Sequence, residues 1–338
     1  MSAVNSTTRP GPPLPVAAPE HDRDTRRVAA VDVGGTGIRL TVTGARHVAH
    51  GPGRTVDRTG VNAPALLAGL RSTLEAMDLP EGIRVEAVAV GMSGLLSLTT
   101  EPVRLMTDLA HLFGTSRVVL ASDVFTSYVG ALGMRPGALV AAGTGAVALG
   151  TDFADCWRHR DGWGHLLGDE GSGAWIGAEG LRAALRAHDE RPSGSTTLLR
   201  RAVDRYGPCA RWPSQFYPHG DVAGRLAFFT TEVAAAALGG DPIAHDIWRR
   251  AAQHLADSVV AALPAHHDPL VSWCGGLFQA GALLRDPFEE AVRRAAPHAR
   301  PTAPAGSSLD GAGHLARLAC RTPELLPKDV PYLRTLTL

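Results

Sequence analysis

Residues 28–42 of the chain, VAAVDVGGTGIRLTV, combine an apolar run, an aspartate, a glycine-rich segment and a second apolar run. The two runs predict strands, and residues 34–37 predict the turn that joins them. A glycine turn lets backbone N–H groups approach phosphate oxygens where any side chain would intrude. Asp32 lies just before this turn, where its carboxylate could bind Mg²⁺ directly or through water.

The same pattern returns in the second half of the chain. Apolar residues 138–142 and 146–150 flank Gly143-Thr144-Gly145, which predicts a second strand–turn–strand unit. Either turn alone is compatible with an ordinary hairpin. Two such turns at corresponding edges of two lobes could hold one nucleotide between them, so the pair favours phosphate binding. The repeated pattern is too short to establish an internal repeat.

Strands and helices alternate along the rest of the chain. Strands are predicted at 85–90, 118–121 and 271–274, and helices at 64–77, 174–188, 224–238, 243–263 and 313–321. This order predicts a mixed or parallel sheet with covered faces. Because 338 residues exceed the usual size of one core, two lobes are expected.

The predicted domain boundaries follow changes in residue pattern along the chain. A flexible, proline-rich leader is expected at 1–26, followed by an N-terminal lobe at 27–133 and a C-terminal lobe at 134–322. The final segment, 323–338, is predicted to be a loosely docked tail. No long apolar run or signal-peptide core is found, so a cytoplasmic location is expected.

The charge balance limits the classes of partner. The 33 basic and 33 acidic residues remove the simplest electrostatic argument for nucleic acid or an anionic membrane, so a small neutral or weakly charged substrate is favoured. Lys328 is the sole lysine and lies in the C-terminal segment. Walker-type loops and protein kinases each place a lysine on the nucleotide phosphates, so any ATP must be held by another fold.

The cysteines do not predict a metal or iron–sulfur site. They lie singly, without the close pairs that such sites use, at Cys156, Cys209, Cys274 and Cys320.

Asp123 is the candidate catalytic base. It follows an apolar strand and precedes a helix predicted to run through Leu132, which would place its carboxylate at the mouth of a cleft. In phosphoryl transfer a carboxylate orients the attacking hydroxyl and accepts its proton. The alternative is that Ser122 or Asp123 only caps the helix, and capping by Ser122 would leave Asp123 available.

Residues 161–175 carry an unusual density of glycine, acidic and aromatic residues. A sugar site needs such a mixture, with a flat apolar face for the ring and planar acceptors for its hydroxyls. Trp163 and Asp169 are therefore candidates. Simpler alternatives remain, because a lone tryptophan is usually in a core, acidic residues favour a helix N-terminus, and His165 is more typical of a structural histidine.

The block at 162–175, GWGHLLGDEGSGAW, taken with the two glycine turns, resembles the N-acetylglucosamine kinase branch of the BadF/BadG/BcrA/BcrD ATPase family, within the sugar kinase, Hsp70 and actin superfamily. The resemblance runs from about residue 27 to residue 322. It implies an α/β, two-lobed actin-like ATPase fold with ribonuclease H-like lobes and an interlobe cleft. It also implies an ATP-dependent sugar kinase that uses Mg²⁺.

The resemblance implies roles for individual residues. Asp123 would be the general base toward the sugar 6-hydroxyl, and Asp32 would bind the metal. The residues implied to bind ATP or its phosphates are Gly34, Gly35, Thr36, Gly37, Gly143, Thr144, Gly145, Gly275 and Gly276. The residues implied to bind sugar, besides Asp123, are Asn62, Ser93, Gly94, Trp163, Gly164 and Asp169.

One departure bears on the substrate. After the second glycine turn, animal N-acetylglucosamine kinases have Ser-Asn, whereas this chain has Ala146-Val147, so one polar contact to sugar is missing. N-acetylglucosamine, converted to its 6-phosphate, is the expected substrate, and glucosamine or another amino sugar stays open. The iron–sulfur activator branch of the family is disfavoured because its bridging cysteines have no counterpart near these motifs.

Two other classes of function are compatible with these motifs. An ATPase module that drives a partner protein would hydrolyse ATP regardless of added sugar. A sugar-binding sensor without catalysis is disfavoured by the intact Asp32 and Asp123. The expected partner is a small sugar, with no nucleic acid and no membrane, and a homodimer is left open.

Overall fold

The computed structural model describes residues 27–35, 37–53, 56–57, 60–77, 79, 84–95, 101–217 and 221–338. The predicted leader at 1–26 and the candidate Thr36 lie outside the described residues.

The first sheet has six strands in the order β13-β7-β6-β1-β2-β3. Strand β1 pairs antiparallel with β2 and parallel with β6, and β6 pairs parallel with β7. A separate two-stranded pair is formed by β4 and β5. The bounds are β1 Val28–Val33, β2 Gly37–Val42, β3 Ala49–Pro52, β4 Val56–Asp57, β5 Gly60–Val61, β6 Ala87–Met92, β7 Arg117–Ser122 and β13 Leu333–Thr337.

The second sheet has five strands in the order β10-β9-β8-β11-β12. Strand β8 pairs antiparallel with β9 and parallel with β11, and β11 pairs parallel with β12. The bounds are β8 Gly137–Ala142, β9 Ala146–Thr151, β10 Trp157–Asp161, β11 Leu270–Cys274 and β12 Arg300–Pro301.

Apart from β13, which the first sheet adds at its edge, the two sheets have the same topology. In each, a meander of three antiparallel strands is followed by two strands that add in parallel beside the first strand of the meander. The glycine turns at 34–37 and 143–145 connect the first two strands of their sheets, so they occupy corresponding positions. The pattern seen twice in the sequence therefore marks a repeated fold unit.

Helices cover the faces of both sheets. The bounds are α1 Ala63–Glu75, α2 Pro102–Phe113, α3 Asp123–Leu132, α4 Gly173–His188, α5 Thr196–Tyr206, α6 Trp212–Phe216, α7 Val222–Phe228, α8 Thr230–Leu238, α9 Pro242–Ala262, α10 Ala282–Ala295 and α11 Ser308–Arg321. The single helix predicted at 224–238 is wrong, because the buried Phe229 separates two helices and its N–H donates to the carbonyl of Leu226, only three residues back.

Three cores result from this arrangement. Helices α1 and α2 bury the outer face of the first sheet, and α4 to α10 bury the outer face of the second. The central core lies between the sheets and is filled by α3 and α11. Helix α3 follows a strand of the first sheet but also contacts β8 and β11 of the second, whereas α11 follows the second sheet and packs on β1, β6 and β7.

The two central helices cross in backbone contact. A Cβ added to Gly130 on α3 would overlap the carbonyl oxygen of Ser307, and one added to Gly311 on α11 would overlap the carbonyl oxygen of Thr126. The N–H of Ala305 also donates to the carbonyl of Ala131 at 3.0 Å. Glycine is thus needed on both helices because each backbone fills the space of the other's side chain.

The end of the chain is not the loosely docked tail that the sequence predicted. Strand β13 pairs antiparallel with β7, and the carbonyl of Tyr332 accepts from the N–H of Ser122 at 2.9 Å. The ring of Tyr332 stacks on Trp157 of β10, with ring centroids 5.8 Å apart. Pairing satisfies the backbone groups along what would otherwise be the open edge of β7. The predicted lobe boundaries at 133/134 and 322/323 stay predictions.

Among the described helices, none is by itself both long and apolar enough to cross a membrane. The pair Val222–Leu238 and Pro242–Ala262 reaches that length and composition only when the two parts are taken together, and they meet at a bend of 119°.

The helix crossing generates a stability prediction. Gly130→Ala should lower the free energy of unfolding by about 1–3 kcal/mol, because the added methyl meets backbone that cannot rotate away. The measurement is the midpoint of urea unfolding. Gly276→Ala is the matched control, since its added methyl would have no neighbour within 4 Å. Equal midpoints for the two variants would contradict close packing at the crossing.

Candidate functional site

Several candidate residues meet where parallel strands end. In the first sheet, Val33 of β1 is in register with Met92 of β6, and Met92 with Ser122 of β7. The residues that follow, Ser93 and Asp123, therefore lie level with the start of the first glycine turn. Two strand spacings separate β1 from β7, which is about 10 Å. We call this edge, with the ends of β8 and β11, the strand-end region.

Asp123 begins helix α3 in the strand-end region. Ser122 is the N-cap, because its Oγ accepts from the N–H of Phe125 at 3.4 Å. One oxygen of Asp123, Oδ1, accepts from the N–H of Val124 at 2.8 Å, and the residue is half-buried. Capping is thus done by Ser122, and Asp123 stands in the first turn of the helix.

Asp32 lies on the face of β1 that carries Ala30 and Val28 into the central core. Its Oδ2 accepts from both Nε and Nη2 of Arg39, at 3.0 and 2.6 Å. Nη2 of Arg39 also donates to Oγ of Ser308, at the start of α11, at 3.0 Å. The Asp32 side chain is only 13% exposed, so this ion pair supplies the partner that a buried carboxylate needs. Arg39 bore no role in the sequence analysis.

The first glycine turn is closed by a hydrogen bond from the Gly34 N–H to the Gly37 carbonyl at 2.9 Å. A Cβ added to Gly35 would meet no atom within 4 Å, and Gly35 does not have left-handed backbone. Neither packing within the chain nor backbone strain therefore requires glycine there. Glycine at position 35 is instead explained if a ligand comes close to the backbone there.

The second glycine turn is one residue shorter and is closed by a hydrogen bond from the Gly143 N–H to the Gly145 carbonyl at 2.8 Å. Gly143 also faces open space. The carbonyls of Gly143 and Thr144 accept from the N–H groups of Gly173 and Ala174, at 2.8 and 3.0 Å. This turn is consequently fixed to the N-terminus of α4.

Asp169 lies against the second glycine turn. A Cβ added to Gly145 would overlap Oδ2 of the Asp169 carboxylate, and the backbone N–H groups of Ala146 and Gly164 lie close enough to lower its pKa. Asp169 has left-handed backbone, with φ of 55°, which is uncommon outside glycine. Burial raises the pKa of this carboxyl group above its ordinary value, and the nearby Asp161 acts in the same direction. The predicted sugar acceptor and the predicted phosphate turn are therefore adjacent.

Asp161 holds the loop that carries the candidate sugar residues, and the sequence analysis gave it no role. Its Oδ1 accepts from the N–H groups of Gly162 and Asp169, at 2.8 and 2.7 Å, and its Oδ2 accepts from Glu170 at 3.1 Å. One carboxylate thus closes the loop from both ends. An aspartate followed by Gly-x-Gly is the signal that could have indicated this role.

The loop between these anchors carries exposed apolar side chains. Trp163 is 72% exposed, and Leu166 and Leu167 are 83% and 87% exposed. Gly164, with φ of 84°, lets the chain reverse beside Trp163. The simpler alternative of a core tryptophan is therefore wrong, and an exposed indole is available for a sugar ring.

Cys274 connects the two halves of the strand-end region. Burial raises the pKa of its thiol to about 12, and the carboxylates of Asp123 and Asp32 act in the same direction. The thiol therefore lies within electrostatic range of both carboxylates, although it ends β11 of the second sheet. The next residue, Gly275, has φ of 98°, and its added Cβ would overlap Ala142, just before the second turn. Gly276 faces open space.

The remaining sugar candidates are divided between two places. Ser93 lies beside the first glycine turn, because its N–H donates to the carbonyl of Val33 at 3.1 Å, and Gly94 follows with φ of 78°. Asn62 instead lies at the start of α1, where its Oδ1 accepts from the N–H of Ala65 at 3.0 Å and caps the helix.

Magnesium would find a compatible donor in Asp32. Mg²⁺ prefers oxygen ligands, keeps several waters and commonly binds through one carboxylate plus substrate phosphates. In the part of the chain described, Oδ2 of Asp32 is taken by Arg39 and Oδ1 accepts no hydrogen bond. No cluster of three acidic, histidine or cysteine side chains that could hold a metal ion is present among these residues.

Comparison with known proteins gives a consistent result. The model of the BadF/BadG/BcrA/BcrD ATPase family matches residues 29–309. An N-acetylmuramic acid/N-acetylglucosamine kinase from Clostridium acetobutylicum is 26% identical over 242 residues, which cover 69% of this chain and 78% of that protein.

Solved structures share the fold. A candidate N-acetylglucosamine kinase from Chromobacterium violaceum superposes with a TM-score of 0.65 and 28% identity, over 85% of this chain and 97% of that one. A ROK family glucokinase from Streptomyces griseus, in complex with glucose and AMPPNP, superposes with a TM-score of 0.51 and 22% identity. The superposition covers 86% of this chain and 99% of the glucokinase. The two-lobed actin-like α/β fold expected from the sequence is confirmed.

The anchoring role of Asp161 is testable. Asp161→Ala should speed amide hydrogen exchange in residues 162–170 by about tenfold or more, because three N–H groups lose a charged acceptor and such bonds contribute about 1.5–3 kcal/mol each. Peptide-level mass spectrometry provides the measurement. Asp268→Ala, which removes an exposed carboxylate paired with Arg300, is the control. Unchanged exchange in the loop would contradict this role.

Proposed function

Because this chain belongs to the BadF/BadG/BcrA/BcrD ATPase family, we propose that it is a sugar kinase that transfers the γ-phosphoryl group of ATP to a hydroxyl of an amino sugar. One observation carries the proposal. Asp32 lies on the face of β1 toward the central core, α3 begins at Asp123 and packs on β8 and β11, and Gly275, which follows β11, touches the end of β8 at the second glycine turn. Candidate metal, base and phosphate groups from both sheets therefore border one region.

N-acetylglucosamine, phosphorylated at its 6-hydroxyl, is the substrate that we propose first. A relative named as an N-acetylmuramic acid/N-acetylglucosamine kinase and one from Dictyostelium discoideum named as an N-acetyl-D-glucosamine kinase support an amino sugar. Ala146 and Val147 offer no polar side chain after the second turn, and Ala146 is buried. Glucosamine or another amino sugar therefore remains the alternative.

ATP would be held by backbone. N–H groups of the turns at 34–37 and 143–145 would bind its phosphates, as open space at Gly35 and Gly143 allows. Gly275 and Gly276 would lie on the adenosine side. Asp32 would hold Mg²⁺ through Oδ1 or through water. Bound there, the ion would neutralise charge on the phosphates.

Asp123 would act as the general base. It would orient the sugar hydroxyl and accept its proton as the hydroxyl oxygen forms a bond to the γ-phosphorus. The bond from that phosphorus to the β–γ bridging oxygen breaks, and ADP leaves with the electron pair. Most of the rate enhancement in such a reaction comes from positioning and charge neutralisation.

The sugar would lie between the base and the loop at 162–169. Asp169 would accept from ring hydroxyls, and Trp163 would cover the flat face of the ring. Ser93 and Gly94, beside the first turn, would lie near the 2-substituent, and Asn62 would make a further polar contact. A cytoplasmic location and a homodimer likewise remain predictions.

The proposal is tested by an ADP-release screen over glucose, glucosamine, N-acetylglucosamine, N-acetylmannosamine and N-acetylmuramic acid, with each product identified by mass. ADP release that depends on an amino sugar, with one phosphate added to that sugar, is the expected result. Hydrolysis of ATP at the same rate with and without every sugar would reject the kinase and favour an ATPase module that drives a partner protein.

Asp123→Asn tests the base. The amide cannot accept the hydroxyl proton, so kcat should fall by about 10²–10⁴-fold, while the affinity for ADP, measured by calorimetry, stays unchanged. Asp257→Asn, on the exposed face of α9, is the control and should retain full activity. Retained turnover in Asp123→Asn would remove this residue from its role.

A further inference from the structure

Arg39 supplies a fixed positive charge in the strand-end region. Two of its three guanidinium nitrogens are engaged, with Nε and Nη2 on Asp32 and Nη2 also on Ser308. The third nitrogen, Nη1, has no acceptor among the residues that the structure describes. The Arg39 side chain is 44% exposed, so a ligand can approach it.

The two contacts hold the guanidinium between β1 and the helix that packs on it. Asp32 and Arg39 are paired across β1 and β2, just before and after the first glycine turn. Ser308 begins α11, which is the helix that enters the central core from the second sheet. A guanidinium fixed at two points loses little further freedom when it binds a third group.

The position of Arg39 is suited to a phosphoryl group. Arg39 lies on the same strand face as Asp32, because the alternate residues Ile38 and Leu40 point into the outer core of the first sheet. The charge of Arg39 lowers the pKa of the Cys274 thiol, and the charges of Asp32 and Asp123 raise it.

A simple ion pair would leave part of this arrangement unexplained. Neutralising Asp32 accounts for the contacts of Nε and Nη2. It does not account for the additional tie to Ser308 or for the exposure of the side chain beside a site where the substrate would carry several negative charges. The chain contains one lysine, Lys328, so the usual lysine on the nucleotide phosphates is not available from a neighbouring motif.

We propose that Arg39 is a catalytic residue that donates from Nη1 to a non-bridging oxygen of the γ-phosphoryl group and stabilises the charge on that group during transfer. Asp32 and Ser308 position the guanidinium. This inference rests on the proposed kinase function and adds a residue to its machinery. A preorganised arginine at a transferring phosphoryl group contributes a large rate factor because it needs no reorganisation as charge develops.

The experiment compares Arg39→Ala and Arg39→Lys with the wild-type protein in steady-state assays with the sugar found active. Arg39→Ala should lower kcat by about 10²–10³-fold, with the KM for sugar changed less than about threefold. Arg39→Lys should recover only part of the loss, since an ammonium lacks the fork that holds Asp32 and Ser308 while it reaches the phosphoryl group. Arg104→Ala, which removes an exposed pair with Glu101 on α2, is the matched control.

Rescue of the Arg39→Ala variant by added guanidinium ion distinguishes a direct role of Arg39 in the reaction from a structural role. Added at millimolar concentration to Arg39→Ala, it should restore kcat in a saturable manner, whereas added sodium chloride at the same ionic strength should not. Ser308→Ala should give a smaller loss than Arg39→Ala, with the KM for sugar unchanged. A folded Arg39→Ala protein with kcat within about threefold of wild type, or a loss that guanidinium does not restore at all, would overturn the proposal.

The wild-type protein distinguishes this inference from the function on which it rests. Wild-type protein that phosphorylates no sugar in the screen would show that the proposed kinase function, and with it this role for Arg39, is wrong. Wild-type turnover accompanied by an equally active Arg39→Ala protein would reject the role of Arg39 alone.

Discussion

The close crossing of α3 and α11 is the contact on which the arrangement of the two sheets depends. Each helix packs on the sheet that it does not follow directly in the chain, and they touch backbone to backbone at Gly130 and Gly311. Helix α3 begins at Asp123, and α11 begins beside the hydroxyl that binds Arg39. The same crossing therefore positions the candidate base and the candidate phosphate-binding arginine.

Much of the fold could be predicted because the local pattern and the tertiary environment agree. The apolar runs around the glycine turns become β1, β2, β8 and β9, and the resemblance drawn from residues 162–175 is confirmed by the family match over residues 29–309. Strand β13 was missed because Leu333–Thr337 owes its conformation to the open edge of β7, and a strand partner more than two hundred residues away leaves no local signal.

Candidate residues could be predicted where they belong to a recognisable sequence motif. Residues that position other parts of the site through hydrogen bonds could not be predicted. Asp123, Asp169 and the glycine turns carry a recognisable pattern, and their roles in catalysis and binding stay predictions. Asp161 is one of two aspartates followed by glycine, the other being Asp310, and two of its three backbone donors lie eight and nine positions later and approach it only when the loop closes. Arg39 lies at an exposed strand position that any polar residue could occupy, so its link to Ser308, 269 positions away, is a property of the folded chain alone.

The contact between Asp169 and the second glycine turn would couple the predicted sugar site to the predicted phosphate site. The Asp169 carboxylate lies against Gly145, and the same turn is tied by two hydrogen bonds to the N-terminus of α4. A sugar hydroxyl bound to Asp169 would therefore act on the residue that packs against the turn. Because coupling between two binding sites is reciprocal, each ligand would change the affinity of the other by the same factor. The order in which the ligands bind would therefore not change the total free energy of binding.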